Sequence, residues 1–334
     1  MLCQRKMEAL MRITRDSVAS LANVSSATVS RVYNAPDSVS ADLRQRVYEA
    51  AETLGYSPNC LAASLRRKGT GTLAFVEFNK TGRPYYWGNF PSFDWFFGRS
   101  LRGVQQVIGQ SSWQLRFYNV RTKEDMQALQ KQCDGILAYD VDMSEELALF
   151  EDISIPYVLS HHLHESTQGL CVRTDNRYGG VLQGNYLRDK GCVRPLYITG
   201  FIESVMPHAE RLEGFLSVYP EARVLHTSIG AATSITSILP QIEQIRSSDH
   251  IDGIAAVNDL TLFDVLMRLP LDMPAVGYDA SPFSALLGAK AASVDIQCGQ
   301  LYQKATQKLL LLLSGQQEES STIQPRLVIG SAGM

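Results

Sequence analysis

The sequence lacks any apolar run that approaches the roughly 20 residues a helix needs to cross a bilayer. Its longest leucine stretch covers residues 309–313 and lies within an amphipathic pattern, which indicates a buried helix. The first twelve residues carry charge but no apolar core of signal-peptide length. These absences predict a cytoplasmic protein with no membrane partner.

Paired cysteines and catalytic signatures are also missing. The six cysteines, at positions 3, 60, 133, 171, 192 and 298, form no C-x-x-C pair, so we expect reduced, buried thiols and neither a disulfide framework nor a zinc site. No G-x-S-x-G, Walker A, H-E-x-x-H or G-x-G-x-x-G motif occurs. We therefore predict no catalytic residues, no cofactor and no enzymatic activity.

Charge is distributed unevenly along the 334 residues. Residues 1–68 contain ten lysines and arginines against six aspartates and glutamates, whereas the remainder contains 21 against 28. A basic head on an acidic body fits a polyanion-binding module carried by a domain that does not bind nucleic acid. The length suits a small module followed by a two-lobed domain.

The segment from Thr14 to Tyr33 predicts two short helices joined by a tight turn. Asn23 in the turn tolerates a left-handed backbone, and Ser25 is a good N-cap for the second helix. The exposed face of that helix is small or basic: Ser26, Ala27, Ser30 and Arg31. This pattern is typical of a helix-turn-helix whose second helix enters the major groove. A plain helical hairpin is the alternative.

The residues that follow favour the first interpretation. ATVSRVYN, VSADLRQRVYEAAETLGYSPN and LAASLRRKGTGTLAFV resemble the N-terminal signature of the lactose/galactose repressor family, and the resemblance extends over nearly the whole chain. It implies that double-stranded operator DNA is a partner and that Arg31 reads a base edge, with Ser26 and Ala27 at the main discriminating positions. The residues that would bind phosphates are Thr14, Thr28, Ser30, Asn34, Tyr56 and Asn59, and Ser25 completes this DNA-binding set.

Residues 58–69 suggest a hinge helix. A short helix from Cys60 to Arg67 follows the break at Ser57-Pro58-Asn59. In the family that this sequence resembles, such a helix becomes ordered when the protein binds DNA. Two copies would enter the minor groove, with Leu65 as a wedge between base pairs and Ala62 on the small-residue face. An ordinary linker helix is the alternative.

From Thr72 onwards, strand-like and helical runs alternate, which predicts parallel sheets flanked by helices. The predicted fold class is therefore α/β: a three-helix helix-turn-helix head followed by a two-lobed body that resembles periplasmic sugar-binding proteins. The predicted boundaries are 1–11 for an extension, 12–57 for the head, 58–69 for the hinge helix and 70–334 for the effector-binding and dimerisation domain. Lobe 1 would take about 70–190 and 296–322, and lobe 2 about 191–295 and 323–334.

Ligands of open α/β sheets bind beyond the carboxyl ends of strands, where this chain has Asp175, Asn258 and Asp279. Arg211 lies in HAERLEGF, which matches a family segment at the mouth of the second lobe. The resemblance implies that Arg211, Asn258 and Asp279 hydrogen-bond the effector and that Asp175 lies at the cleft wall. Alternatively, the aspartates cap helices.

Residues 83–97 depart from the family in an apparent insertion rich in aromatic residues. Asp94, which stands where relatives have Asn, and the rings of Trp95 and Phe96 are the foremost candidates for effector contact; a lid or a dimer contact is the alternative. His161 opens a His-His-x-His cluster at another strand end. We expect a loop at the cleft rim there, with His161 among the candidate effector-binding residues. A metal site is not expected, because no carboxylate or cysteine has matching spacing.

Together these features predict a sequence-specific DNA-binding regulator, a dimeric repressor of a carbohydrate-utilisation operon released by a small sugar-like effector. The tail lacks the leucine heptads of a tetramer-forming extension, so we expect a homodimer. The alternatives are a corepressor-dependent regulator that senses a nucleobase or another metabolite, a soluble small-molecule binding protein, and an architectural DNA binder.

Overall fold

The computed structural model describes residues 14–34, 38–54, 69–78, 94–109, 111–141, 144–160, 169–200, 205–227, 234–269, 272–287 and 291–329. The chain divides into two compact units, Met1–Gly69 and Thr70–Met334, called here the head and the body. The boundaries expected inside the head, at 11/12 and 57/58, fall outside the described residues.

The described head is a three-helix unit. Its helices are α1 (Arg15–Leu21), α2 (Ser26–Asn34) and α3 (Ala41–Leu54). Val18, Val29 and Val47, one from each helix, are completely buried against one another. Arg46 of α3 donates to the carbonyl oxygen of Ala22 at 2.6 Å. This contact ties α3 to the turn between α1 and α2.

The body contains two six-stranded sheets. Their strands are β1 (Thr72–Phe78), β2 (Gln114–Val120), β3 (Gly135–Ala138), β4 (Tyr157–Ser160), β5 (Leu170–Thr174), β6 (Pro195–Thr199), β7 (Arg223–His226), β8 (Gly253–Ala256), β9 (Ala275–Tyr278), β10 (Ala291–Asp295), β11 (Ser321–Ile323) and β12 (Arg326–Ile329). Lobe 1 has the order β11-β5-β4-β3-β1-β2 and lobe 2 the order β12-β10-β9-β8-β6-β7. Every described strand pairing is parallel except β10 with β12. Strands β3, β8 and β9 are buried along their whole length, as expected for parallel sheets covered on both faces.

Helices alternate with these strands. They are α4 (Asp94–Ile108), α5 (Lys123–Leu129), α6 (Ser144–Leu147) with a 3₁₀ turn (Ala148–Phe150), α7 (Asn176–Asp189), α8 (Met206–Val218), α9 (Ser234–Asp249), α10 (Asp259–Arg268), α11 (Pro282–Leu286) and α12 (Cys298–Leu313). No described helix is long and apolar enough to span a bilayer. The four cysteines in the described residues, Cys133, Cys171, Cys192 and Cys298, are buried free thiols, as predicted.

One expectation about the lobes needs correction. The chain first leaves lobe 1 between Thr174 and Asn176 and not near residue 190, because α7 packs on strands of the second sheet. The tail forms two strands, β11 in lobe 1 and β12 in lobe 2. A hydrophobic pattern this short does not reveal which sheet a strand or helix joins.

Each lobe joins two helices through close glycine contacts. In lobe 2, a Cβ atom on Gly180 of α7 would stand 2.0 Å from the Arg211 carbonyl oxygen of α8. In lobe 1, a Cβ atom on Gly103 of α4 would stand 2.0 Å from the Gly299 carbonyl oxygen of α12. Only glycine permits such an approach between helix backbones. The α7–α8 contact also fixes the position of Arg211.

The chain crosses between the lobes three times: after β5, after β10 and between β11 and β12. Hydrogen bonds link these crossings to one another. The Thr174 hydroxyl donates to the Ile296 carbonyl oxygen at 3.1 Å, which joins the first crossing to the second. Arg326 Nε donates to Asp295 Oδ2 at 3.0 Å and joins the second crossing to the third. We call this set of linked crossings the hinge; it is distinct from the hinge helix predicted at residues 58–69.

Candidate nucleic-acid interface and effector site

The helix-turn-helix geometry arises from two caps and one strained residue. Thr14 accepts the Ser17 backbone N–H at the start of α1, and Ser25 accepts the Thr28 N–H at 3.1 Å at the start of α2. Asn23 has φ of 51°, the left-handed turn conformation expected from its side chain. Thr28 hydrogen-bonds Ser25 at 2.9 Å between their hydroxyls.

The outer surface of α2 presents a short, mostly small-residue face. Ala27 and Arg31 are exposed, and Ser26 and Ser30 are half-buried. The Ser26 hydroxyl accepts Arg15 Nε at 2.9 Å and donates to the Asp16 carboxylate. Ser26 therefore ties the start of α2 to α1, which leaves Ala27 and Arg31 as the outward-facing members of the predicted base-reading set.

Arg211 is the centre of the polar cluster at the carboxyl edge of lobe 2. The side chain is almost fully buried, with 3% of its surface exposed. Nε donates to Asn176 Oδ1 at 3.1 Å, and Nη1 donates to the Val257 carbonyl oxygen at 2.7 Å and lies 3.5 Å from Asp279 Oδ1. The guanidinium also lies over the Tyr278 ring, 3.8 Å from its centroid. Arg211 is thereby fixed in one orientation beside a carboxylate.

Two buried carboxyl groups, those of Asp279 and Asp259, lie in this region. Burial raises the pKa of Asp279 to about 6, although the Arg211 charge acts to lower it. Burial raises the pKa of Asp259 to about 8, and the Asp279 charge adds to the increase. Asp259 accepts the Ser281 N–H and the Ser293 hydroxyl, each at 2.7 Å. The site thus combines a charged guanidinium with carboxyl groups whose protonation changes near neutral pH.

Asn258 and Asp175 both cap helices. Asn258 Oδ1 accepts the Thr261 N–H at 2.8 Å and starts α10 at the same strand edge. Asp175 Oδ1 accepts the Tyr178 N–H at 2.9 Å and starts α7, while its Oδ2 accepts Gln324 at 3.2 Å. The alternative in which the aspartate caps a helix therefore holds for Asp175, whose second oxygen lies at the hinge.

Trp95 and Phe96 reach this region from lobe 1. Both lie at the start of α4 and pack against a buried cluster that contains Tyr278 and Val294 of lobe 2 and Cys298, the first residue of α12. The Trp95 Nε1–H is buried and has no hydrogen-bond partner among the described residues. Asp94 is the first residue of the same helix.

Buried polar atoms without a partner are rare in proteins and indicate a missing ligand or water. Besides Trp95 Nε1, the hydroxyls of Thr199 and Thr227, at the ends of β6 and β7, are of this kind. Continuing the strand register past the pairs Ile198–Ala256 and Ala255–Val276 brings Thr199 level with Val257 and Tyr278. These unpartnered groups therefore border the Arg211 cluster.

Comparison with known proteins identifies the class of the head domain and relatives of the whole chain. Residues 15–59 match the family described as bacterial regulatory proteins, lacI family. The chain is 27% identical over 282 residues to the sucrose operon repressor of Streptococcus mutans, covering 80% of this chain and 82% of that protein. It is 28% identical over 305 residues to the ribose operon repressor of Halalkalibacterium halodurans, covering 85% of each. Residues 15–59 are therefore a lacI-family domain. A solved lac repressor dimer, bound to operator and the anti-inducer ONPF, shares the fold with a TM-score of 0.60 at 21% identity, covering 95% of this chain and 97% of that one.

The lacI-family domain, together with repressors matched over at least 80% of the chain, indicates a DNA-binding transcription regulator and not an enzyme. Among the described residues, no group of three or more His, Cys, Asp or Glu side chains could hold a metal ion. His161 and its neighbouring histidines lie outside the described residues, as do Tyr56, Asn59, Ala62 and Leu65. Asn34 is described as the last residue of α2.

Sequence reasoning did not include several residues of the Arg211 cluster among the candidate site residues. Asn176 links Arg211 to Glu210, whose Oε2 accepts Asn176 Nδ2 at 3.3 Å. Tyr278 supplies the ring beneath Arg211, and Asp259 lies behind Asp279. Asn176, Asp259 and Tyr278 each stand next to a predicted residue in the sequence. The position of each of them at a strand end was the available signal.

Proposed function

We propose that this protein is a dimeric repressor of a carbohydrate-utilisation operon and that a small sugar-like effector releases it from DNA. The observation that carries the proposal is the Arg211–Asp279 pair at the carboxyl edge of lobe 2, with Asn258 beside it. A guanidinium next to a carboxylate offers donors and acceptors to the vicinal hydroxyls of a sugar. The buried, unpartnered hydroxyl of Thr199 and the indole N–H of Trp95 add two further polar contacts.

The aromatic rings at the start of α4 support the same class of effector. Trp95 and Phe96 pack edge to face with centroids 5.7 Å apart. An aromatic ring beside polar groups suits the apolar face of a sugar. Both rings belong to lobe 1, and Arg211 and Asp279 belong to lobe 2. A ligand that contacts both sets would change the relative stability of different lobe orientations, and only such a difference in affinity can alter DNA binding.

Exposed apolar side chains of the body support a homodimer. Phe117 lies on β2, an edge strand of lobe 1, and is 54% exposed. Met267 and Leu286, in lobe 2, are 67% and 69% exposed. Unpaired strand edges and exposed large apolar groups favour association with another chain. Two copies would present two recognition helices to successive major grooves of a near-palindromic operator.

Arg31→Ala tests the DNA-binding part of the proposal. We expect operator affinity to fall by about 1–3 kcal/mol and the preference at one base pair to weaken, because a guanine contact is lost. Gel-shift titration against a set of single-base operator variants measures both effects. Arg44→Ala, on α3 in the same head, removes the same charge and is the control. An equal loss in both variants would show that Arg31 contributes charge alone.

Asp279→Ala tests the effector part. We expect operator binding to remain and the response to effector to disappear, because the hydroxyl acceptor beside Arg211 is gone. The effector is first identified by a thermal-shift screen of monosaccharides, oligosaccharides, nucleobases and sugar phosphates, in which a bound ligand raises the melting temperature. Asp279→Asn preserves the side-chain volume if the alanine variant folds poorly, and Glu213→Ala on the exposed face of α8 is the control. A normal response in both Asp279 variants removes this residue from the site.

A further inference from the structure

A cavity lies in the groove between α4 and α12. Its volume is about 280 Å³, and its floor lies at the close helix contact between Gly103 and Gly299. Asp295 and Arg326, which tie two of the lobe crossings together, form its border on the side of lobe 2. None of Arg211, Asn258 and Asp279 lines it, so it is separate from the proposed effector site.

The lining of this cavity carries an excess of positive charge. Three arginines, Arg99, Arg102 and Arg326, face it together with one carboxylate, Asp295. Asp295 is already engaged by Arg326, whose Nη2 lies 3.0 Å from it. Arg99 uses one nitrogen to donate to the Ala280 carbonyl oxygen at 2.8 Å. No carboxylate in the described part of the body pairs with Arg102, which is exposed.

Neutral donors complete the lining. Gln106, Gln300 and Gln303 line the cavity, and each glutamine side-chain amide has two N–H groups. The first turn of α12 also borders it, and Gln297 provides no side-chain cap for that sixteen-residue helix. Guanidinium, amide and helix-start N–H groups around one space are the donor set that recognises phosphate and carboxylate groups.

We propose that this cavity binds a small metabolite that carries an oxyanion, either a phosphate ester or a carboxylate. Arg102 and Arg99 neutralise the anion, and the glutamine amides bind the polar remainder of the molecule. An oxyanion here competes with Asp295 for Arg326 and weakens one of the links between the lobe crossings. Given the proposed function, the metabolite is a second regulatory ligand that acts on the hinge and not in the effector site.

Calorimetric titration of the full-length protein tests the binding step without DNA or sugar. The probes are inorganic phosphate, a hexose phosphate and citrate, at constant ionic strength maintained with sodium chloride. We expect saturable binding of one anion per chain for at least one probe. Arg102→Gln should weaken that binding about tenfold, because a charge-assisted hydrogen bond is lost. The control is Arg121→Gln, which removes the same charge from an exposed arginine of lobe 1 outside the cavity.

The comparison among probes identifies the chemistry. Stronger binding of the hexose phosphate than of inorganic phosphate indicates a phosphate ester, and stronger binding of citrate indicates a carboxylate. The proposal is overturned if none of the three probes saturates at millimolar concentration, or if both arginine variants lose affinity equally, since equal losses indicate diffuse charge attraction. Failure of either kind leaves the repressor proposal unaffected.

Discussion

Arg211→Ala is expected to lower the free energy of unfolding of the body by about 3–5 kcal/mol. The substitution deprives the Val257 carbonyl oxygen, Asn176 and Asp279 of their shared partner in a region that water hardly reaches. Breaking a buried pair leaves an uncompensated polar or charged group, and its desolvation dominates the loss. Urea denaturation followed by circular dichroism gives the unfolding midpoint.

Two further variants make the Arg211 experiment specific. Arg177→Ala removes an arginine whose pair with Glu213, 2.6 Å apart, is largely exposed, and we expect a loss within about 1 kcal/mol. Arg211→Lys should recover little stability, because a single ammonium cannot reproduce the planar contacts to Asn176, Val257 and the Tyr278 ring. A loss for Arg211→Ala no larger than that for Arg177→Ala would contradict the proposed role of Arg211 as the centre of this cluster.

The stability of the body is expected to fall as the pH rises from about 4 to about 8, through Asp259. An unfolded aspartate releases its proton near pH 3.9, whereas burial raises the pKa of Asp259 in the folded protein to about 8. Between these values the folded state retains a proton that the unfolded state has lost. The stabilisation is thus complete below about pH 4 and is lost as the pH rises through about 8. Each unit of pKa corresponds to about 1.4 kcal/mol, so the decrease amounts to several kcal/mol.

Asp259→Asn should flatten this pH dependence and stabilise the protein above neutral pH. An asparagine fits the site because its oxygen can accept the Ser281 N–H while its amide donates to the Ser293 hydroxyl. Thermal unfolding at pH values from 5 to about 8.5 measures the slope, and Asp264→Asn, the same chemical change on the same helix, is the control. If wild type and Asp259→Asn have parallel stability profiles, the carboxyl group is ionised in the folded state throughout this range.

Ser26 illustrates why a motif position does not reveal a side chain's partners. The sequence places Ser26 at the start of the recognition helix, which the structure confirms. Its hydroxyl is engaged by Arg15 and Asp16 of the preceding helix. Helical periodicity predicts which face a residue occupies, but a hydrogen bond between two helices depends on how they pack.

The sequence by itself determined the helix-turn-helix and the alternating strands and helices, and it predicted Arg211 and Asp279 as candidate effector contacts. The helices and strands follow from local signals, namely caps and hydrophobic period; Asp279 was predicted because it follows a strand, and Arg211 because its segment resembles one of the family. Only the tertiary structure decided that α7 belongs to lobe 2, that Asp175 serves a helix cap and the hinge, and that Asn176 and Tyr278 complete the Arg211 cluster. These outcomes depend on contacts between residues distant in the chain, such as the 3.1 Å hydrogen bond from Arg211 to Asn176. Local patterns do not specify such contacts, because long-range packing selects among conformations that have similar local energies.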